Sequence, residues 1–272
     1  MMNYIESIVL AVLQGLTEFL PVSSSGHLVL AQHWFGHVED TNLLFDIMLH
    51  CATVVAILVY FRKDWIALAR GLLRLSPTTK EASVFSGAEW HTVWMVVVAS
   101  FPTAILGLSI QRIGLEVFSR PDIVGSLLIL TGIVLWIGRG KSIGRGIKDM
   151  SIRDALVIGL VQGVAVLPGI SRSGSTIAGG LLLGLERELI VRFSLLISIP
   201  AILGATLLEI LKVVGTASVE IGPYLVGMVV AAGVGYWSIG IILRLVKQDY
   251  FHWFSYYLWP VGIGIILWTH VL

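Results

Sequence analysis

Hydrophobic residues in this chain fall into long blocks separated by short polar intervals that are mostly basic. A membrane helix needs ~20 mostly apolar residues. Six blocks meet that length, at about 43–61, 92–110, 122–138, 189–211, 223–246 and 253–272. They predict six transmembrane helices. Two further apolar stretches are too short. Ile5–Leu20 runs 16 residues and contains Glu18, and Ala155–Leu167 runs 13 and ends at Pro168-Gly169. Each leads into a Ser/Gly cluster and a second short apolar stretch, reaching about Phe35 and Leu185. Runs of this length predict helix–turn–helix hairpins, 5–35 and 155–185, that enter the membrane and turn back. The predicted fold class is therefore an all-α integral membrane protein with six transmembrane helices and two re-entrant helical hairpins. Residues 1–272 form one membrane domain.

Composition supports this and excludes other classes. Of 272 residues, 56% are hydrophobic and 13% charged, against about 25% charged in soluble domains. Mean hydropathy is +0.90. A disordered chain, a nucleic-acid binder and an ordinary cytosolic enzyme are all excluded. The net charge of +1 provides no bulk field to recruit an acidic partner. The single cysteine, Cys51, allows no disulfide within the chain. Met1–Glu6 holds no Lys or Arg, so it does not read as a secretory signal. Nine Trp and seven Tyr suit anchoring at membrane interfaces.

Charge sets the expected orientation. The interval 62–91 carries Arg62, Lys63, Arg70, Arg74 and Lys80, and 139–153 carries Arg139, Lys141, Arg145, Lys148 and Arg153. Arg187, Arg192, Arg244 and Lys247 join them if both hairpins return to their origin, with Arg112, Arg120 and Lys212 opposite. The positive-inside rule then puts the basic intervals in the cytoplasm and both termini outside. Within the first interval, Trp65–Leu75 reads as a basic amphipathic helix lying on the inner leaflet.

The two halves match without a gap at an offset of 148: Gln14-Gly15 with Gln162-Gly163, Ser23, Ser25 and Gly26 with Ser171, Ser173 and Gly174, and Phe45 with Phe193. Repeat one covers about 1–138 and repeat two about 153–272. Each half reads hairpin, span, span, span. An odd number of spans inverts the second half, so hairpin one enters from outside and hairpin two from the cytoplasm. Inverted repeats with broken helices tend to place a site at the repeat interface.

The polar differences between the tips point to chemistry. Tip one reads Gln14-Gly-Leu-Thr-Glu18-Phe-Leu-Pro-Val-Ser23-Ser24-Ser25-Gly26-His27; tip two holds Pro168-Gly169-Ile-Ser171-Arg172-Ser173-Gly174-Ser175-Thr176. Ionisable groups inside a bilayer cost ~2.5–3.5 kcal/mol and default to functional roles. Glu18 and Arg172 are the two best placed. After each turn a helix should begin, presenting free N–H groups and a positive dipole end. With Arg172 and the hydroxyls, two such ends form an anion cradle for the phosphate head of an amphiphile.

Other polar residues have plainer readings. Asp46 and His50, four apart on one helix face, read as packing or supporting groups. Glu209 reads as solvated near a span end, and His33, His37 and His91 as interfacial. No GxxxxGK[ST] or HExxH pattern occurs. Ser-Gly-His and Ser-Arg suggest a type-2 phosphatidic-acid phosphatase, but Ile113 and Ala178 stand where that signature needs Lys and His.

Three motifs together resemble the bacterial undecaprenyl-pyrophosphate phosphatase family, also called the bacitracin-resistance family. They are Gln14-x-x-x-Glu18, Pro21-Val-Ser-Ser-x-Gly-His27 and Pro168-Gly-x-Ser-Arg-Ser-Gly174. The resemblance covers essentially the whole chain. It implies hydrolysis of undecaprenyl pyrophosphate to the monophosphate, which recycles the carrier for cell-wall synthesis and gives bacitracin tolerance. It also implies an interdigitated inverted repeat, a homodimer, and a site facing outward from a bacterial cytoplasmic membrane. The isoprenoid chain would lie in the bilayer.

Roles follow as expectations. Arg172, Ser23, Ser25, Gly26, Ser171, Ser173 and Thr176 would bind phosphate. Ser24 is the candidate nucleophile, with direct water attack as the alternative. His27 would be a general acid/base or would orient Ser24. Glu18 would be a general base or hold a divalent cation, Mg2+ or Ca2+, with Gln14 as a neutral oxygen ligand. A transporter or flippase of a phosphate-bearing prenyl lipid is the alternative function, since the same cradle would bind without cleaving.

Overall fold

The computed structural model describes residues 2–35, 43–73, 83–113, 120–213 and 221–271. His37, Arg74, Leu75, Lys80 and the side chain of Lys212 lie outside the described residues. The described chain is helical, with a single bridge between Arg145 and Leu185 in place of any sheet.

The six long apolar blocks form α3 (Leu43–Tyr60), α5 (Glu89–Ile113), α6 (Pro121–Ile137), α9 (Arg187–Val213), α10 (Ile221–Lys247) and α11 (Phe254–Val271). Among the described residues, α3, α5, α9 and α10 are long and apolar enough to cross a membrane. The 17-residue α6 is apolar but shorter, and it packs along α11. Gly125 and Gly262 permit this: a Cβ on Gly125 would stand 2.8 Å from the Gly262 carbonyl oxygen.

Each short apolar stretch forms two helices around a turn. The first gives α1 (Tyr4–Thr17) and α2 (Ser24–Trp34); the second gives α7 (Ile152–Val164) and α8 (Arg172–Leu182). At 1.5 Å per residue, legs of 14, 11, 13 and 11 residues reach at most about 21 Å, short of the ~30 Å hydrocarbon core. Capping boxes at Asn3 and Ser151 start the entry legs.

Hairpin two opens at the basic end of the molecule. Arg145 donates to the Leu183 carbonyl at the end of α8 (2.8 Å) and pairs with Asp154 at the start of α7 (2.7 Å). One guanidinium thus ties both open legs. The same end gathers Lys247–Glu188, Arg187–Asp249 and Arg192–Asp64. Arg192 and Asp64 join α9 to α4 (Arg62–Leu72), which begins three residues before the expected Trp65. Asp64 and Leu68 form its buried side, while Arg62 and Lys63 are exposed and Arg70 is half-buried.

Hairpin one opens at the other end. Ser7 donates to the Pro223 carbonyl at the start of α10, and His33 meets the Trp268 ring near the end of α11. Each hairpin leans on the opposite half of the chain. α1 packs on α10 and α7 on α5. The paired repeat glycines make these contacts: a Cβ on Gly15 would lie 2.8 Å from the Ala231 carbonyl oxygen, and one on Gly163 would lie 2.7 Å from Leu106 Cβ.

Candidate functional site

Glu18 caps the end of α1 in helical conformation, so its carboxyl projects from the helix end into the turn. The chain then passes Pro21 and reaches Ser23 at φ 71 and ψ 97. A non-glycine residue there costs about 1–3 kcal/mol and persists only where its surroundings over-determine it. At Ser23 they do. Its hydroxyl oxygen accepts from Gly26 N (3.3 Å), capping α2, and from Gly169 N (3.1 Å) in the other tip. Its carbonyl accepts from the His27 backbone N–H and from His27 Nδ1.

Tip two is built with ordinary geometry. Ser171 caps α8 at φ −74, its hydroxyl accepting from Gly174 N at 3.1 Å. Gly169, at φ 96, makes the turn that a side chain would strain. Thr131 of α6 fixes it, donating to the Gly169 carbonyl (2.9 Å) and accepting from Ser171 N (3.1 Å).

The two tips meet. A Cβ on Gly26 would lie 3.2 Å from Gly169 Cα, and one on Gly174 would lie 2.9 Å from Pro21 Cβ. Small residues at these positions let the tips touch through their backbones. The N-termini of α2 and α8 open at the junction, and the first N–H groups of a helix have no partner within it.

Glu18 is the centre of the junction. Its Oε1 accepts from Arg172 Nη2 at 2.6 Å. Its Oε2 accepts from Ser24 Oγ at 2.7 Å and from Gln14 Nε2 at 3.0 Å. His50 Nε2 of α3 stands 3.8 Å away. The second guanidinium nitrogen, Arg172 Nη1, is buried and has no hydrogen-bond partner among the described residues. A cavity of about 190 Å³ opens beside this group. Its polar lining includes Glu18, Ser23, Ser24, Ser25, Ser171 and Arg172; Ala165, Val166, Ile170, Ala201, Ile202 and Ala205 give it an apolar wall.

The remaining expected residues serve elsewhere. Gly26 supplies the close approach. Ser173 pairs with Ser171 at 3.3 Å, and the buried Thr176 pairs with Ser194 of α9 at 2.6 Å. None of these three lines the cavity. They follow the turn on the inner face of their helices, so they pack it. His27 does not line the cavity or bond to Ser24. Its ring is held between the Ser23 carbonyl and Tyr257 Oη, each at 2.8 Å.

Other cavity residues were not singled out or were read differently from sequence. Thr17, Thr103, Gln162 and Thr206 line it, as do His50, read as a supporting group, and Glu209, read as solvated. Thr17 and Gln162 belong to the tip-one run and the repeat match, whereas Thr103, Thr206, His50 and Glu209 come from long helices where no local motif announces them. One signal was available: Thr103 and Ala201 each directly follow a proline inside a long helix, Pro102 in α5 and Pro200 in α9. Such a proline removes an i→i−4 bond and marks a break in the ladder.

The expected Gln14–Glu18 cation site does not fit a divalent ion as the side chains stand. Gln14 turns its amide N–H toward the carboxylate, and its Oε1 is buried without a partner. Both Glu18 oxygens already accept hydrogen bonds. No group of three or more His, Cys, Asp or Glu able to hold a metal occurs among the described residues.

With this geometry, similarity to known proteins becomes informative. The profile described as bacitracin resistance protein BacA matches residues 7–264. The undecaprenyl-diphosphatase of Desulfosudis oleivorans is 44% identical over 273 residues, covering 98% of each chain. That of Desulforapulum autotrophicum is 41% identical, again over 98% of each. That of Methanosphaera stadtmanae is 40% identical over the full length of both.

Proposed function

The chain belongs to the BacA bacitracin-resistance family, and from that premise we propose how its site hydrolyses undecaprenyl pyrophosphate to undecaprenyl phosphate and inorganic phosphate. It is a membrane phosphatase whose activity recycles a cell-wall lipid carrier and underlies bacitracin resistance.

The proposed architecture is an inverted-topology repeat, 1–138 and 153–272, with six spans and both hairpins re-entrant. Three observations support it: the legs are too short to cross, the hairpins open at opposite ends, and each packs on the other half. The proposed orientation puts the basic end in the cytoplasm and both termini outside. His50, Thr206 and Glu209 line the cavity on the side away from those basic groups, which supports a site facing outward. The proposed setting, by family resemblance, is a bacterial cytoplasmic membrane and a homodimer.

In the proposed reaction the terminal phosphate enters the cradle between the two helix N-termini, and the prenyl chain follows the apolar wall. Ser24 Oγ attacks the terminal phosphorus and its proton passes to Glu18 Oε2, 2.7 Å away. The bond to the bridging oxygen breaks, and undecaprenyl phosphate leaves with that electron pair. Arg172 holds Glu18 through Nη2 and offers Nη1 to the phosphoryl oxygens. Water then attacks the phosphoserine and the bond from phosphorus to the Ser24 oxygen breaks; Glu18 returns its proton to that oxygen, the water's proton leaves with the phosphate, and Glu18 is again a carboxylate.

The observation carrying this reading is the Ser24–Glu18–Arg172 chain at the rim of one cavity. Binding without cleavage would not require a hydroxyl hydrogen-bonded to a carboxylate. The test is phosphate release from a short-chain prenyl pyrophosphate in detergent. The wild-type protein releases phosphate, and Ser24→Ala and Glu18→Gln lose most of that activity. Near-normal release by both variants would sink the assignment.

A further inference from the structure

We propose that Tyr257 is a positioning residue for the nucleophile, acting through His27 on the peptide that presents Ser24. The inference rests on the proposed role of Ser24. Tyr257 lies on α11, 230 positions from His27 in sequence. Its hydroxyl sits 2.8 Å from His27 Nε2, and the two rings stack with centroids 5.8 Å apart. The other ring nitrogen, Nδ1, sits 2.8 Å from the Ser23 carbonyl. A carbonyl oxygen only accepts, so Nδ1 carries the proton. The neutral ring then accepts at Nε2, and Tyr257 donates.

The end point of this relay is the one unusual backbone residue in either tip that is not glycine. Ser23 has φ 71. Its carbonyl belongs to the peptide joining it to Ser24, so fixing that oxygen fixes the plane from which Ser24 departs. The relay therefore sets the aim of Ser24 Oγ at Glu18 and the cavity.

The second tip serves as an internal control. At the offset of 148, Ser23 corresponds to Ser171, Ser24 to Arg172 and His27 to Ser175. Ser171 caps its helix at φ −74, and the Ser175 hydroxyl is buried without a partner among the described residues. Where the backbone is relaxed and no nucleophile follows, Thr131 holds the N–H of the cap residue, but no imidazole stands on its carbonyl. Where the cap is strained and Ser24 follows, an imidazole and a phenol hold it. A histidine that merely satisfied its own polarity would have no reason to track this difference.

The test uses full-length protein in detergent, a short-chain prenyl pyrophosphate, and kcat and KM measured separately. A nucleophile displaced by a remote change loses rate on the order of 10- to 100-fold. Tyr257→Phe should lower kcat by about that factor, with KM within about twofold. His27→Asn keeps a donor near the Nδ1 position but cannot reach Tyr257, so it should match Tyr257→Phe. The double variant should be no worse than either. His27→Ala, which also frees the Ser23 carbonyl, should fall further. Melting temperature separates these effects from misfolding; if Tyr257→Phe fails to fold, His27→Asn alone decides. Wild-type kcat in Tyr257→Phe and His27→Asn, with Ser24→Ala inactive, overturns the positioning role and spares the nucleophile. A rise in KM alone also overturns it. Full activity in Ser24→Ala overturns the underlying reading instead.

Discussion

Glu18 and Arg172 stand 154 positions apart in the chain and 2.6 Å apart in the fold. This pair joins the two tips chemically, and the Gly169 N–H joins them again by donating to the Ser23 hydroxyl. Arg172 reaches the carboxylate through Nη2 while Nη1 has no partner among the described residues. A guanidinium can hold a carboxylate and a phosphoryl oxygen at once with fixed geometry. An ammonium is a single point charge. Arg172→Lys should therefore keep the fold but lose on the order of 10²-fold in kcat/KM, and Arg172→Ala should lose more. Phosphate release and a melting curve on the same preparations check this. A lysine variant with wild-type turnover would show that charge alone suffices.

The meeting of the tips should be sensitive to a single methyl group. Gly169 has φ 96, and a Cβ there would lie 2.7 Å from the Val124 carbonyl oxygen. Gly169→Ala combines strained backbone with overpacking against a main-chain atom that cannot yield. A loss of about 1–3 kcal/mol is expected, together with reduced turnover, because Gly169 N also holds Ser23. Thermal unfolding in detergent measures the first effect and phosphate release the second.

Close-packed and open glycines should respond in opposite directions. A Cβ on Gly15 would press on α10 at 2.8 Å, whereas Gly204 in α9 has nothing within 4 Å. Gly15→Ala should lower the melting temperature. Gly204→Ala should leave it unchanged or raise it slightly, since alanine gains up to ~1 kcal/mol of helix propensity over glycine. Equal destabilisation by both would argue against the packing of α1 on α10.

Much of this was legible in sequence, and the reasons are physical. The six long blocks gave helices whose ends fall within about three residues of expectation, because bilayer thickness imposes a strong length signal. The hairpins were legible as short legs broken by Pro and Ser/Gly turns. Gly15 and Gly163, which the offset of 148 pairs, each meet a helix of the opposite half. Side-chain direction was not legible. Ser171 and Thr176 stand five positions apart, yet Ser171 lines the cavity and Thr176 meets Ser194 in the interior. Which face of an eleven-residue helix turns inward depends on α9, which the local motif does not contain. His50 and Glu209 were missed as cavity residues for the same reason, since separate spans bring them together.

The donor set around Glu18 yields a last prediction, about cations. Gln14 places an amide N–H 3.0 Å from Glu18 Oε2, a favourable contact that presents no oxygen to a metal. Gln14→Glu would replace it with a second carboxylate at the same distance. Two like charges that close destabilise each other, and a divalent cation that bridges carboxylate oxygens would relieve the repulsion. Gln14→Glu should therefore melt lower than the wild type in chelator, and magnesium or calcium should restore it more than they stabilise the wild type. Melting curves with and without each ion, in the absence of substrate, isolate the protein's own ligands from those that pyrophosphate brings. An identical ion response in both proteins would mean that the amide at position 14 does not set cation affinity, and that Glu18 is already committed to Arg172 and Ser24 whatever stands beside it.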